Sequence, residues 1–261
     1  MTQLRSKTVD ALKNRTVAME GIHLRNLDIT KIIARHEPEL DLLQKGVALI
    51  NSYFPPEEQV PPEAWEGAIS AGRFGHPKNR YRFTLAMKGE EVVGVSSYFY
   101  LAEPSTLFVG FIRVADSLQK IGVGYQLFSE MLNFALDSAT DAGTVLRSIC
   151  GEVERPGSFT TNPADAKKRL TIFTRAGAGL LDHTTGFDYI QPISETEALP
   201  LDLILAPLEP KTHVTLEETA TLVRSIFSAI YEHLPPSVFQ ASLDRVLRSI
   251  PASGIPLVTE F

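Results

Sequence analysis

The sequence predicts an α/β fold with a helical hairpin at its C-terminal end, and three observations carry that prediction. Residues 81–114 hold three strand-like runs separated by turn residues. Residues 107–139 run from an apolar strand through a loop with two close glycines into an amphipathic helix. Beyond Pro210, apolar residues recur at spacings of four and three, each run bounded by capping or breaking residues.

In chain order, residues 1–27 are mixed and polar without a clear period and read as a peripheral arm. Lys31–Arg35 is a short strand candidate. Pro38–Phe54 places Leu40, Leu43, Val47, Leu49 and Ile50 at near-helical spacing, and a cluster of prolines from Pro55 to Pro62 interrupts it. A second short helix is expected around Trp65. Tyr81–Met87 and Val92–Tyr100 flank the turn Gly89-Glu90-Glu91 and form a hairpin candidate. Leu107–Val114 is a buried strand candidate, Ala115–Ile121 a loop, and Gly122–Ala139 a helix with Leu127, Met131, Phe134 and Ala135 on one face. Val145–Val153 is a further strand. Asn162 and Pro163 open a helix that Gly177 closes, the usual asymmetry of helix ends. Strands follow near Asp188–Gln191 and Leu201–Leu205. Thr215 and Glu218 make a capping-box pattern for a helix carrying Leu216, Ala220, Val223, Phe227, Ile230 and Leu234. Pro235-Pro236 ends it, and Ser237 is placed to cap the last helix. The domain body is therefore expected over residues 28–208, with residues 209–261 a helical extension.

Composition narrows the function classes. The 261 residues are 44% apolar and 21% charged, with a formal net charge of −6, the balance of a globular protein without the basic surface that nucleic acid demands. One cysteine, Cys150, forms no internal disulfide, and the six scattered histidines give no metal-ligand spacing. Met1–Ala18 lacks an apolar core of signal-peptide length, and the longest apolar runs fall short of the ~20 residues that cross a bilayer. A cytoplasmic protein with no metal, nucleic-acid or membrane partner is the expectation.

The junction at 107–139 is suited to an anion. The first N–H groups of a helix have no internal partners and carry the positive end of its dipole, and glycines at 122 and 124 let a phosphate come close to the backbone. Two glycines alone also describe a tight turn into a helix. A dinucleotide fingerprint fails because its third glycine is Leu127, and no Lys-Ser or Lys-Thr pair completes a Walker loop.

Gln119-Lys120-Ile121-Gly122-Val123-Gly124, following Val114, resembles motif A of the GNAT N-acetyltransferases, (Gln/Arg)-x-x-Gly-x-(Gly/Ala). Arg169-Leu170-Thr171-Ile172-Phe173-Thr174-Arg175-Ala176-Gly177-Ala178 resembles that family's late helix, and Ile149–Glu154 its splayed strand. The resemblance spans roughly residues 28–206. It implies a mixed, bent sheet flanked by helices, acetyl-CoA or another acyl-CoA as donor, and direct attack by a primary amine; the leading expectation is transfer of acetyl from acetyl-CoA to an amine-bearing small molecule. It places the donor along Ile112, Val114, Gln119, Lys120, Ile121, Gly122, Val123 and Gly124. Acceptor contacts are expected near Tyr98, Tyr100 and Arg113, although buried packing also accounts for aromatic residues on strands.

Glu152 is the candidate base by the same resemblance. Glu154 shares its strand parity, so a second carboxylate is expected to raise the pKa of one of the pair; two solvated acids at a strand end is the plainer reading. The family's tyrosine acid is replaced by Thr174, a hydroxyl far weaker than a phenol, which leaves Tyr189, water or solvent for that step. Lys167 stands where the family often has asparagine. These two departures keep open an alternative, a degenerate domain that binds acetyl-CoA as a sensor or interaction module. Lys167, Lys168 and Arg169 are ordinary solvated charges as readily as phosphate ligands. The C-terminal stripe suits packing on the chain's own sheet, and it also suits a contact between two copies.

Overall fold

The computed structural model describes residues 21–29, 37–53, 74–155, 167, 170–171, 173–174, 177–193 and 197–259. The strand expected over residues 31–35 and the helix around Trp65 lie outside them, as do Asn162 and Pro163. The chain divides into two compact units. The first comprises Met1–Gly72, Arg80–Tyr100 and Val109–Val145, and the second Arg73–Asn79, Leu101–Phe108 and Leu146–Phe261. The segment expected as a C-terminal extension is thus built into the second unit.

In the first unit, β1 (Ile22–Asp28), β2 (Arg80–Lys88) and β3 (Glu91–Leu101) form an antiparallel meander. Residues 22–27, part of the expected polar arm, are strand instead: β1 pairs with β2 from Ile22 opposite Lys88 to Asp28 opposite Arg82. Their sequence IHLRNLD is polar because much of β1 is exposed, so its strand character comes from its partner. Gly89, at φ +60°, closes the β2–β3 turn, and a bulge falls between Ala86 and Met87. β2 buries five consecutive residues, Phe83 to Met87, because both its faces are covered there. Helix α1 (Glu37–Asn51) approaches so closely at Gly46 that a Cβ there would sit 2.9 Å from Leu85 Cδ2. The opposite face, at Ala86 and Gly94, receives Val123 and Leu127 of α2 (Val123–Asp141). Strand periodicity of two explains why neighbours Leu85 and Ala86 meet different helices. β4 (Thr106–Val114) ends in this unit and leads into a 3₁₀ turn, Asp116–Leu118, and the loop before α2.

In the second unit, β8 (Ala198–Pro207) is central. It lies between β5 (Ser148–Glu154) and β6 (Gly179–Leu181), antiparallel to both, and its first residues pair antiparallel with β7 (Ile190–Pro192). β10 (Ile255–Val258) then pairs with β6, and β9 (His213–Val214) with β10. Residues 170–171 and 173–174 are helical, and Leu170 packs on Val153, Leu180 and Ile204. Their helix ends as the sequence predicts. Gly177 has φ +89°, its N–H reaches Thr174 O at 2.9 Å and the Ala178 N–H reaches Phe173 O at 3.0 Å, the paired bonds of a Schellman motif.

The C-terminal helices are α3 (Leu216–Ile230) and α4 (Pro236–Ser249). Thr215 Oγ1 accepts from the Glu218 N–H at 3.2 Å and Glu218 Oε2 from the Thr215 N–H at 3.0 Å, the capping box that the sequence showed. The cap of α4 is Pro235 with Pro236 at the first helical position, in place of the expected Ser237; proline fits there because that N–H has no helical partner. α3 buries Ala220, Leu222, Val223, Ile226 and Phe227, and Phe227 meets the rings of Tyr189 and Phe239, each at 6.3 Å. The stripe therefore packs within its own unit. The expected C-terminal helical hairpin is α3 and α4, and residues 209–261 also hold β9 and β10. Two- and four-residue strands containing His213 and Pro256 have no pattern to read, and their pairing is fixed by distant partners.

Candidate active site

The second unit assembles a carboxylate between two phenols. β5 alternates so that Cys150, Glu152 and Glu154 share one face, and Glu152 lies opposite Leu203 of β8. Tyr189, just before β7, is anchored where the Leu201 N–H donates to its carbonyl at 3.1 Å. Its hydroxyl donates to Glu152 Oε1 in a short hydrogen bond. Tyr231 follows the last residue of α3. Its N–H donates to Phe227 O at 2.8 Å, and its hydroxyl lies 2.9 Å from Glu152 Oε1 and 3.0 Å from Oε2. Phe227, fully buried, sets its ring edge-on to both tyrosines, at 6.3 Å to Tyr189 and 5.2 Å to Tyr231.

Burial raises the Glu152 carboxyl above the usual range, and the two phenol hydrogen bonds oppose it. Both phenols are pushed well above the ordinary tyrosine value, first by burial and then by the charge on Glu152. Burial, with Glu152 second, does the same to the Cys150 thiol. The expectation that Glu154 would raise Glu152 is corrected: Glu154 sits one strand repeat away, opposite Leu201, and burial is the cause. The structure brings Glu152 and Tyr189 together as candidates from sequence. Tyr231 escaped the sequence reading. Its signal was a phenol four residues after Phe227, on the face of α3 that is otherwise apolar.

The glycine loop is in the first unit. Gly122 is the N-cap of α2 at φ +106°, with no side chain capping the helix. The first helical bond runs from the Gln126 N–H to Gly122 O at 3.1 Å, so the Val123 and Gly124 N–H groups lie ahead of the helix's own ladder. A Cβ on Gly122 would meet nothing within 4 Å, and one on Gly124 only Val114 Cγ2 at 3.7 Å. Gly122 therefore faces open space, and Gly124 has room for a Cβ in ordinary contact with Val114. Lys120 takes the left-handed conformation, φ +68°, uncommon for a residue with a side chain. Lys120 and Ile121 are exposed, Val123 is buried against Ala86 and Val93, and Val114 packs on the same cluster. Ile112 is exposed on β4. Gln119 Nε2 donates to Asp116 Oδ1 at 2.7 Å and is 3.4 Å from Val114 O. These bonds pin the loop entry.

Of the three residues expected to contact an acceptor, two are buried in the core and the third is paired with Asp116. Tyr98 is fully buried, with its ring edge-on to Phe134 and its hydroxyl 2.6 Å from Thr84 Oγ1. Tyr100 is equally buried, 2.9 Å from Thr144 Oγ1. Both are core residues whose hydroxyls are satisfied internally. Arg113 pairs with Asp116 at 2.9 Å and lies over the Tyr53 ring at 4.5 Å, so it braces the loop through the same aspartate as Gln119. Thr174 turns its hydroxyl back to Leu170 O and Thr171 O of its own helix, at 3.1 and 3.2 Å, which commits it locally. Lys167 is exposed, and Lys168 and Arg169 lie outside the described residues. Among the described residues no cluster of His, Cys, Asp or Glu could hold a metal ion, and no helix is long and apolar enough to cross a membrane.

The chain has the fold of the GNAT acetyltransferases. The structural likeness that shows it is to a chain from Bacteroides thetaiotaomicron described as an acetyltransferase of the GNAT family: TM-score 0.53, 18% identity, over 81% of this chain and 99% of that one. An acetyltransferase from Streptococcus agalactiae is similar at TM-score 0.46 and 13% identity, over 72% of this chain and 99% of that one. No protein-family model matches the sequence, and no curated protein matches it.

Proposed function

We propose that this protein is an acyl-CoA-dependent N-acyltransferase that moves an acetyl group from acetyl-CoA to the amine of a small molecule. The observation that carries the reading is the α2 N-terminus. In a GNAT fold, it is a helix start that no side chain caps, with open space over Gly122 and, at Gly124, room for a Cβ that would touch only Val114. The residues present fit a pyrophosphate. Gly122 and Gly124 admit it to the backbone, the helix end supplies positive potential, and exposed Lys120 supplies a cation. The left-handed backbone at Lys120 costs about 1–2 kcal/mol, strain of the kind that gathers at ligand sites.

Glu152 is the proton acceptor in this reading. Burial raises its carboxyl, toward the range in which a base removes an ammonium proton effectively at neutral pH. Tyr189 holds that carboxylate and retains its own proton, since burial and the neighbouring charge both raise its phenol. A phenol so raised is a poor source of a proton for the leaving thiolate, so solvent or a water takes that step.

The test is calorimetric titration with acetyl-CoA, followed by free-thiol release across a panel of amines. Binding with thiol release for at least one amine is expected. Binding without release for any amine would favour a domain that only senses acetyl-CoA, and no binding would sink both readings.

A further inference from the structure

We propose that Tyr231, carried into the site by the C-terminal helix α3, is a positioning residue that fixes the carboxylate of Glu152 for proton transfer. The proposal rests on the reading of Glu152 as the base. Tyr231 is 4% exposed, and its position is set twice, by its N–H on Phe227 O and by its ring edge against Phe227. Its hydroxyl straddles the carboxylate at 2.9 and 3.0 Å, a placement that opposes rotation of the carboxyl plane.

Acceptor accounting gives the two oxygens different roles. Among the described residues, Oε1 faces both the Tyr189 and the Tyr231 hydroxyls, whereas Oε2 faces Tyr231 alone. Oε2 thus keeps the lone pair that accepts a proton. In the step, the substrate N–H bond breaks with its electron pair left on nitrogen, an O–H bond forms at Oε2, and neither phenol gives up its proton. The freed amine then attacks the thioester. Residues 209–261 are consequently more than a scaffold, because one of their side chains completes the site.

Among the described residues, the groups facing Glu152 are Tyr189 before β7, Tyr231 after α3, and Cys150 and Glu154 on its own strand face. Tyr231 donates to the ionised form, so loss of its hydroxyl makes Glu152 easier to protonate. Tyr231→Phe, which keeps the ring, is expected to lower kcat/KM about 10–100-fold at neutral pH. Its acidic limb should move up by about one to two pH units, with activity recovering toward alkaline pH. Acetyl-CoA affinity should be unchanged. In a Glu152→Gln background the same substitution should cost nothing further.

A merely structural tyrosine would lower activity at every pH and leave the limb in place. An unshifted limb, or an undiminished loss in the Glu152→Gln background, overturns the proposal. If Tyr231→Phe does not fold, Tyr231→Leu removes the hydroxyl by another route and carries the same expectations. Wild-type turnover in Glu152→Gln alone would instead refute the base itself, a separate failure.

Discussion

Gly124 separates what the fold needs from what the ligand needs. It is the second residue of α2, its backbone is not left-handed, and an added Cβ would meet only Val114 Cγ2 at 3.7 Å, an ordinary contact. The protein itself gains from a side chain here. Gly→Ala at a compatible position stabilises by about 0.4–1 kcal/mol, and a carboxylate in the first turn adds about 0.3–1 kcal/mol through the helix dipole. For a chain of this size each kcal/mol raises Tm by about 2–4 °C, so ligand-free Gly124→Ala and Gly124→Glu should melt slightly above wild type. Acetyl-CoA should reverse that ranking. At 100 times Kd it stabilises the wild type by about 2.7 kcal/mol, a rise of about 5–10 °C. In Gly124→Glu a carboxylate stands beside the proposed phosphate position, and two like charges about 4 Å apart near a surface repel by about 4 kcal/mol. That corresponds to an affinity loss on the order of 1,000-fold. Thermal shift with and without acetyl-CoA, with calorimetry alongside, reads both effects. A variant that binds like wild type would refute the loop as the phosphate site. One that unfolds would refute the claim that the fold tolerates a side chain there.

Other substitutions test the framework around it. Gly122→Ala should cost about 1–2 kcal/mol in urea unfolding, because φ +106° strains any side chain although space is open. Thr215→Ala removes half of the capping box and should lower stability by about 1 kcal/mol, with acetyl-CoA affinity intact. pH dependence follows from Glu152, whose folded carboxyl is raised by burial. Between the ordinary glutamate value and the raised one, the folded chain holds more protons than the unfolded chain, so this group's contribution to stability falls as pH rises. The difference between wild type and Glu152→Gln in urea midpoints, followed from acid to neutral pH, should show that decline, and an opposite slope would contradict it.

The sequence by itself determined the elements whose causes are local. The spacing of apolar residues set α1, α2 and α3, Thr215 and Glu218 set the start of α3, and Gly177 set a helix end. Gly122 and Gly124 were legible because a positive φ and an uncrowded backbone are properties of the residue itself. Tertiary structure decided what depends on distant partners. β1, β9 and β10 exist through their pairing, since seven polar-mixed residues or two to four residues with a proline carry no strand signal of their own. It also sent Tyr98 and Tyr100 into the core and turned Arg113 toward Asp116. Glu152 was visible as a residue, but its environment was not. Its raised carboxyl comes from burial, and its two phenols lie 37 and 79 residues away along the chain. Local pattern can name a carboxylate, and only packing fixes the desolvation and the hydrogen bonds that set its chemistry.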